Sequence, residues 1–146
     1  MNIDILELLR STRVLVAPET FTLISLQHAD WQKLLETPEA SPRMTAPFMI
    51  LMDRHEVTLL LDDIDFAAVG STRLGSKFEG GYRLLTFDIE LELTIVGFMA
   101  EVSRILAEAE IPIMALSAFS RDHLLIKQEK LAKALKTLGP YVLESC

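Results

Sequence analysis

Cysteine is almost missing from this chain. Cys146 is the only one in 146 residues, so no internal disulfide can form, and a single thiol at the extreme C-terminus marks no metal or redox centre. Long apolar runs are missing too. None approaches the roughly 20 residues that span a bilayer, and Met1-Asn2-Ile3-Asp4-Ile5 lacks the basic-then-apolar layout of a secretory leader, so a cytoplasmic protein without a membrane partner is expected. Basic residues are in deficit, 14 Lys and Arg against 21 Asp and Glu, and the net charge of −7 repels phosphate backbones and excludes nucleic acid as a partner. Gly70, Gly75, Gly80 and Gly81 precede strand-type alternation rather than a helix, so no phosphate-binding loop is formed. What is abundant is apolar character: half the residues are hydrophobic and mean hydropathy is +0.31, which calls for a buried intermolecular surface, and a homodimer is expected. The length suits one ordinary domain or two modules of about 70 residues, each small enough to need a partner face.

The stretch from Leu84 to Leu143 carries most of the information, because its apolar period changes in the order strand, helix, strand, strand, helix, strand. From Leu84 to Leu93 the alternation sets Phe87, Ile89, Leu91 and Leu93 on one face and an acidic stripe, Asp88, Glu90 and Glu92, on the other. From Thr94 the spacing becomes helical: Phe98, Val102, Ile105 and Ala109 share a face, and Glu101, Arg104 and Glu108 point away. Ile111 to Phe119 reads as a strand, Ser120-Arg121-Asp122 as a hairpin turn, and His123 to Ile126 as the return strand. Leu131, Ala134, Leu135 and Leu138 predict a second amphipathic helix stopped at Gly139-Pro140, with a last strand at Tyr141-Val142-Leu143. Split βαβ order of this kind predicts a ferredoxin-like α+β sandwich, an antiparallel sheet with both helices on one face.

Within that pattern three segments are more specific: Gly97-Phe98-Met99-Ala100, then Leu106 to Ile113, then Leu116-Ser117-Ala118-Phe119-Ser120-Arg121-Asp122-His123-Leu124-Leu125-Ile126. Together they resemble the ACT domain, the small-molecule-sensing module of amino-acid metabolism, and within it the tandem ACT proteins of the CASTOR type. The family pattern has a glycine opening the first helix, an alanine-rich turn before an Ile-x-Ile strand, and a Ser-Thr-Phe/Tyr-x-x-Asp hairpin, in which the threonine is replaced here by Ala118. The resemblance implies two ferredoxin-like βαββαβ units, a degenerate one over residues 1–78 and an ACT domain over 79–146. It implies a non-catalytic regulatory protein that binds an amino acid at the seam between ACT units, with a protein partner to read the signal. Val96, Gly97, Phe98 and Met99 would then meet the ligand's main-chain groups, and Ser117, Ala118, Phe119 and Asp122 would shape its side-chain end, Asp122 pairing with an ammonium or guanidinium. A structural adaptor that dimerises through ACT surfaces without ligand is the alternative.

Before residue 80 the signals are shorter. Ile3 to Leu9 leaves helix and strand open; Val14 to Val16 and Phe21 to Leu26 read as strands around Pro18-Glu19. Asp30 is expected to cap a short helix burying Trp31, Leu34 and Leu35, and residues 37–46 form a polar, proline-containing loop. Phe48 to Met52 and Val57 to Leu61 flank Asp53-Arg54-His55-Glu56 as a hairpin, and Ser71 to Gly81 is expected to carry the chain between units.

Three groupings invite a chemical reading, and each has a plainer one. Asp62-Asp63-Ile64-Asp65 lacks the glycine and distal glutamate of a calcium loop, so a solvated turn is expected. Ser117, Asp122 and His123 include the residue types of a hydrolase triad, but neighbours on a strand face opposite ways, so Asp122 is not expected to orient His123. His28 and His55 have no second ligand at metal spacing, and neither a metal, a cofactor nor a catalytic group is expected.

Overall fold

The computed structural model describes residues 4–70 and 76–146. In chain order the elements are α1 (Ile5–Arg10), β1 (Arg13–Val16), β2 (Phe21–Leu26), α2 (His28–Leu35), β3 (Met49–Met52), β4 (Val57–Asp62), α3 (Asp63–Gly70), β5 (Ser76–Asp88), α4 (Phe98–Glu108), β6 (Met114–Ser117), β7 (Asp122–Lys127), α5 (Leu131–Leu138) and β8 (Glu144–Ser145). The elements form two compact units: a discontinuous one, Met1–Pro18 with Tyr82–Cys146, and an inserted one, Glu19–Gly81. Residues 4–18 therefore pack with the C-terminal part of the chain. Part of the segment expected to link the units, 71–75, lies outside the described residues.

In the discontinuous unit the sheet runs β6-β7-β5-β1-β8, antiparallel except for the short parallel pair β1–β8. β5, β6 and β7 with α4 and α5 supply the βαββα of a ferredoxin-like unit, and β1 takes the place of its last strand beside β5. Leu85 and Phe87 of β5, Leu124 and Ile126 of β7, Val102, Ile105 and Leu106 of α4, and Ala134 and Leu138 of α5 share one core, so both helices cover the same sheet face. Burying each of these larger side chains stabilises the fold by about 1.5–3 kcal/mol before chain entropy is subtracted. Opposite them, Arg104 bonds to Glu101 and Glu108 one turn away on each side.

The inserted unit has the order β2-α2-β3-β4-α3-β5, with β3, β4 and β2 paired antiparallel and the first part of β5 beyond β2. Its own core comprises Ile24, Leu26, Leu34, Ala40, Val57, Leu59, Leu61 and Val69. The α+β class with two ferredoxin-like βαββαβ units, their sheets antiparallel-dominated and their helices on one face, is the fold of this protein.

Several local expectations are corrected. β5 ends at Asp88, where its pairing with Arg13 of β1 ends, so Glu90 and Glu92 lie in a loop and no acidic strand stripe exists. α4 starts at Phe98 rather than Thr94, because Glu92 accepts the Ile95 N–H in a turn and Gly97, at φ +100°, lies outside helical space. β6 is limited to Met114–Ser117. The last strand falls at Glu144–Ser145 instead of 141–143, since Tyr141 N–H still bonds to Leu138 and only Leu143 N–H reaches Thr12. α2 begins at His28 with Gln27 as its N-cap, which leaves Leu35 on the outer side, 65% exposed.

Asp62 and Asp65 are not in a solvated turn: they are 4% and 2% exposed. Asp62 Oδ1 accepts the Asp65 N–H at 2.9 Å, as a helix N-cap does. Arg43 then joins both, Nη2 to Asp62 Oδ2 at 2.7 Å and Nε to Asp65 Oδ1 at 2.9 Å.

Candidate functional site

The site is built where two irregular segments of the discontinuous unit approach each other. The first is the loop from Ile89 to Gly97 that feeds α4. Gly97 is the N-cap residue with a left-handed backbone and no side chain, so the first amides of α4, from Phe98, Met99 and Ala100, have no intrahelical carbonyl to bond and receive no side-chain cap. The second is the β6–β7 hairpin, closed by the Ala118 N–H to Arg121 carbonyl bond at 2.9 Å. Leu91 N–H donates to the Ser120 carbonyl at 2.8 Å and Arg121 Nε donates to Asp88 Oδ1 at 2.9 Å, so the hairpin tip is tied to the loop and to the end of β5.

Between them lies a cavity of about 290 Å³ whose wall includes Gly97, Phe98, Met99, Ser117, Ala118, Phe119 and Asp122. Of the eight residues expected from sequence, Val96 alone is outside the wall; it is 87% exposed. Phe98 sends its ring inward, 3% exposed and edge-on to Phe87 at 5.7 Å between centroids, so only its backbone is available at the surface. Phe119 does the opposite and stands 84% exposed at the rim. Ser117 donates its hydroxyl proton to Asp122 Oδ1 at 2.7 Å, a bond within the directly opposed β6–β7 pair that holds the carboxylate at the cavity wall. Sequence reasoning did not assign Glu92 or Arg121 to this wall. Arg121 is placed by its ion pair with Asp88, 33 residues away, a long-range pairing with no local signal.

His123 faces away from Asp122 along the strand, its Nδ1 at 2.8 Å from Thr86 Oγ1. Ser117, Asp122 and His123 therefore form no relay, because the carboxylate bonds to the serine and the imidazole to a threonine on β5. Burial is the main influence on His123 and pushes its pKa below the usual histidine value; nearby Asp122 opposes the shift and Arg121 adds to it. A histidine held neutral in the fold contributes stability above its unfolded pKa of about 6.5, and that contribution is lost as pH falls through the folded value. His123→Gln should therefore show a smaller drop in Tm than the wild type between pH 7 and pH 5, both measured by calorimetry; identical drops would contradict this placement.

Elsewhere, His28 Nε2 lies 2.8 Å from the Asp53 carbonyl, and Asp53 caps its own turn by accepting the His55 and Glu56 N–H groups. No three His, Cys, Asp or Glu side chains converge as metal ligands among the described residues. No described helix is long and apolar enough to cross a membrane.

Residues 77–139 match the ACT domain family, a stretch that runs from β5 through α5 and includes every expected site residue. No curated protein matches the sequence. Among solved structures, a protein of Agobacterium tumefaciens superposes with TM-score 0.64 at 16% identity, over 92% of this chain and 91% of that one. A Vibrio cholerae protein described as a possible transport protein gives TM-score 0.64 at 20% identity, over 92% and 93%. The regulatory subunit of aspartate kinase from Thermus thermophilus gives TM-score 0.60 at 12% identity, over 91% and 98%. At these identities the likeness is one of fold, and it extends over both units. Residues 77–139, which carry the Gly97 loop and the Ser117–Asp122 hairpin, are therefore similar to the ACT domain family.

Proposed function

We propose that this is a non-catalytic regulatory protein of the cytoplasm that captures a free amino acid in the cavity beside Gly97, where the ligand is covered by another ACT surface in a homodimer. The observation that carries this reading is convergence: unpaired helix-start amides suited to a carboxylate and a fixed Asp122 carboxylate suited to an ammonium or guanidinium meet in one hollow. At about 290 Å³ the hollow sits at the lower end of small-molecule sites, roughly 300–1,000 Å³, which favours an amino acid over a nucleotide. Leu93, Val96 and Phe119 are 75%, 87% and 84% exposed, an apolar rim that a second ACT unit would cover. The fold shared with an aspartate kinase regulatory subunit supports a regulatory role. Ligand capture at such a seam would favour the packing that closes it, and a partner protein would read that change.

The same exposed rim favours a second reading, an adaptor that dimerises without ligand. Thermal-shift measurements against the twenty amino acids separate the two. A cognate ligand at one hundred times its dissociation constant should stabilise the protein by about 2.7 kcal/mol, and Asp122→Ala should remove the shift. If no amino acid stabilises the protein, the adaptor reading stands; if Asp122→Ala keeps the full shift, the ligand sits elsewhere.

A further inference from the structure

The core of the inserted unit is incompletely filled. Leu34, Ala40, Leu59, Leu61 and Val69 belong to its buried cluster, yet all five also line a cavity of about 180 Å³. Trp31 of α2 forms a further part of the wall, as do Ser41 and Pro42 of the loop between α2 and β3. At the mouth are Leu35 and Ile50, 65% and 42% exposed. Protein interiors pack to crystal density, and an apolar void of about 150 Å³ stays dry and takes up a molecule the size of benzene. This cavity is larger than that and opens outward.

Its loop is firmly anchored. The chain passes from Pro42 directly into Arg43, whose backbone N–H donates to Asp65 Oδ1 at 3.2 Å, in addition to the two guanidinium bonds to Asp62 and Asp65. Both carboxylates are buried, so the chain directly after the wall segment at 40–42 is held by an ion cluster whose acidic side is sequestered. A polar connecting loop has no need of such an anchor unless its position matters.

We infer that this cavity is a second binding site, for a small neutral apolar ligand of one ring or a short branched alkyl group carrying at most one hydrogen-bonding group. No charged side chain lines it, and the Ser41 hydroxyl is its only polar side chain apart from the indole N–H of Trp31, so a zwitterionic amino acid is excluded on desolvation grounds. It shares no lining residue with the cavity beside Gly97 and differs from it in chemistry.

Trp31 is the only tryptophan of the chain, so its fluorescence reports this cavity alone. Titration of the full chain with toluene and with benzyl alcohol should give a saturable change in emission, and benzoate, of similar shape but charged, should give none. Ala40→Leu, which fills the void, should weaken binding about tenfold or more, since one methylene in an apolar pocket is worth roughly 10–200-fold. Leu35→Glu, at a position 65% exposed, should weaken it in the same direction even if Ala40→Leu fails to fold. Phe119→Ala should leave the titration unchanged. Absence of any saturable signal up to the solubility of the probes, or binding by Leu35→Glu equal to that of the wild type, would overturn the inference. Either outcome leaves the amino-acid site untouched.

Discussion

Phe98→Ala should lower the unfolding free energy by about 3–5 kcal/mol in urea titration, the usual cost of deleting a buried phenylalanine ring. The ring is 3% exposed and packs edge-to-face on Phe87 at an interplanar angle of 83°, a geometry worth about 0.5–1.5 kcal/mol beyond area alone. It is also the first residue of α4, so its loss would loosen the turn that presents the free amides. Phe119→Ala is the contrast. That ring is 84% exposed, and its removal should change stability by no more than about 0.5 kcal/mol while weakening any ligand that the rim helps to cover. Two aromatic residues from the same expected site thus have opposite roles, and a stability change of similar size in both variants would contradict the burial difference.

How much of this was legible follows from the range of each interaction. α5 matches its expected span because Leu131, Ala134, Leu135 and Leu138 set a local period and Pro140 ends it. The β6–β7 hairpin was visible for the same reason: Ser117 and Asp122 are five residues apart and pair directly. The end of β5 was not visible, because alternation continues through Ile89, Leu91 and Leu93 while the partner strand stops; only the distant Arg13 decides that Asp88 is last. The place of β1 was hidden too. Val14-Leu15-Val16 reads as a strand in either unit, and its register against Leu85 to Phe87 joins residues some 70 positions apart. Val96 falls outside the cavity wall beside Gly97, whose left-handed backbone is a turn that sequence marks only by the glycine itself.

The acidic run at the start of α3 shows the same limit more sharply, and it gives the second large effect. Read locally, Asp62 to Asp65 is a polar turn; in the fold Asp62 caps α3 and Arg43, 19 and 22 residues away, bonds to both of its buried carboxylates. Asp62→Ala removes the cap, worth about 1 kcal/mol, and also one of the two carboxylates that hold Arg43 by charge-assisted bonds, so a loss exceeding that of the cap alone is expected. Asp62→Asn should keep most of the cap and lose only the charge-assisted part, because an amide oxygen still accepts the Asp65 N–H. Arg43→Met should also destabilise the protein, leaving two sequestered carboxylates without their cation, whereas combining it with Asp65→Leu should recover part of the loss, since it removes one of the stranded buried charges. The comparison is made by urea titration of these four variants and of Asp65→Leu alone, which completes the cycle. Recovery in the double variant would assign the Arg43 effect to stranded charge; a strictly additive loss would assign it instead to the loop that Arg43 holds, and with it to the wall of the cavity beside Trp31.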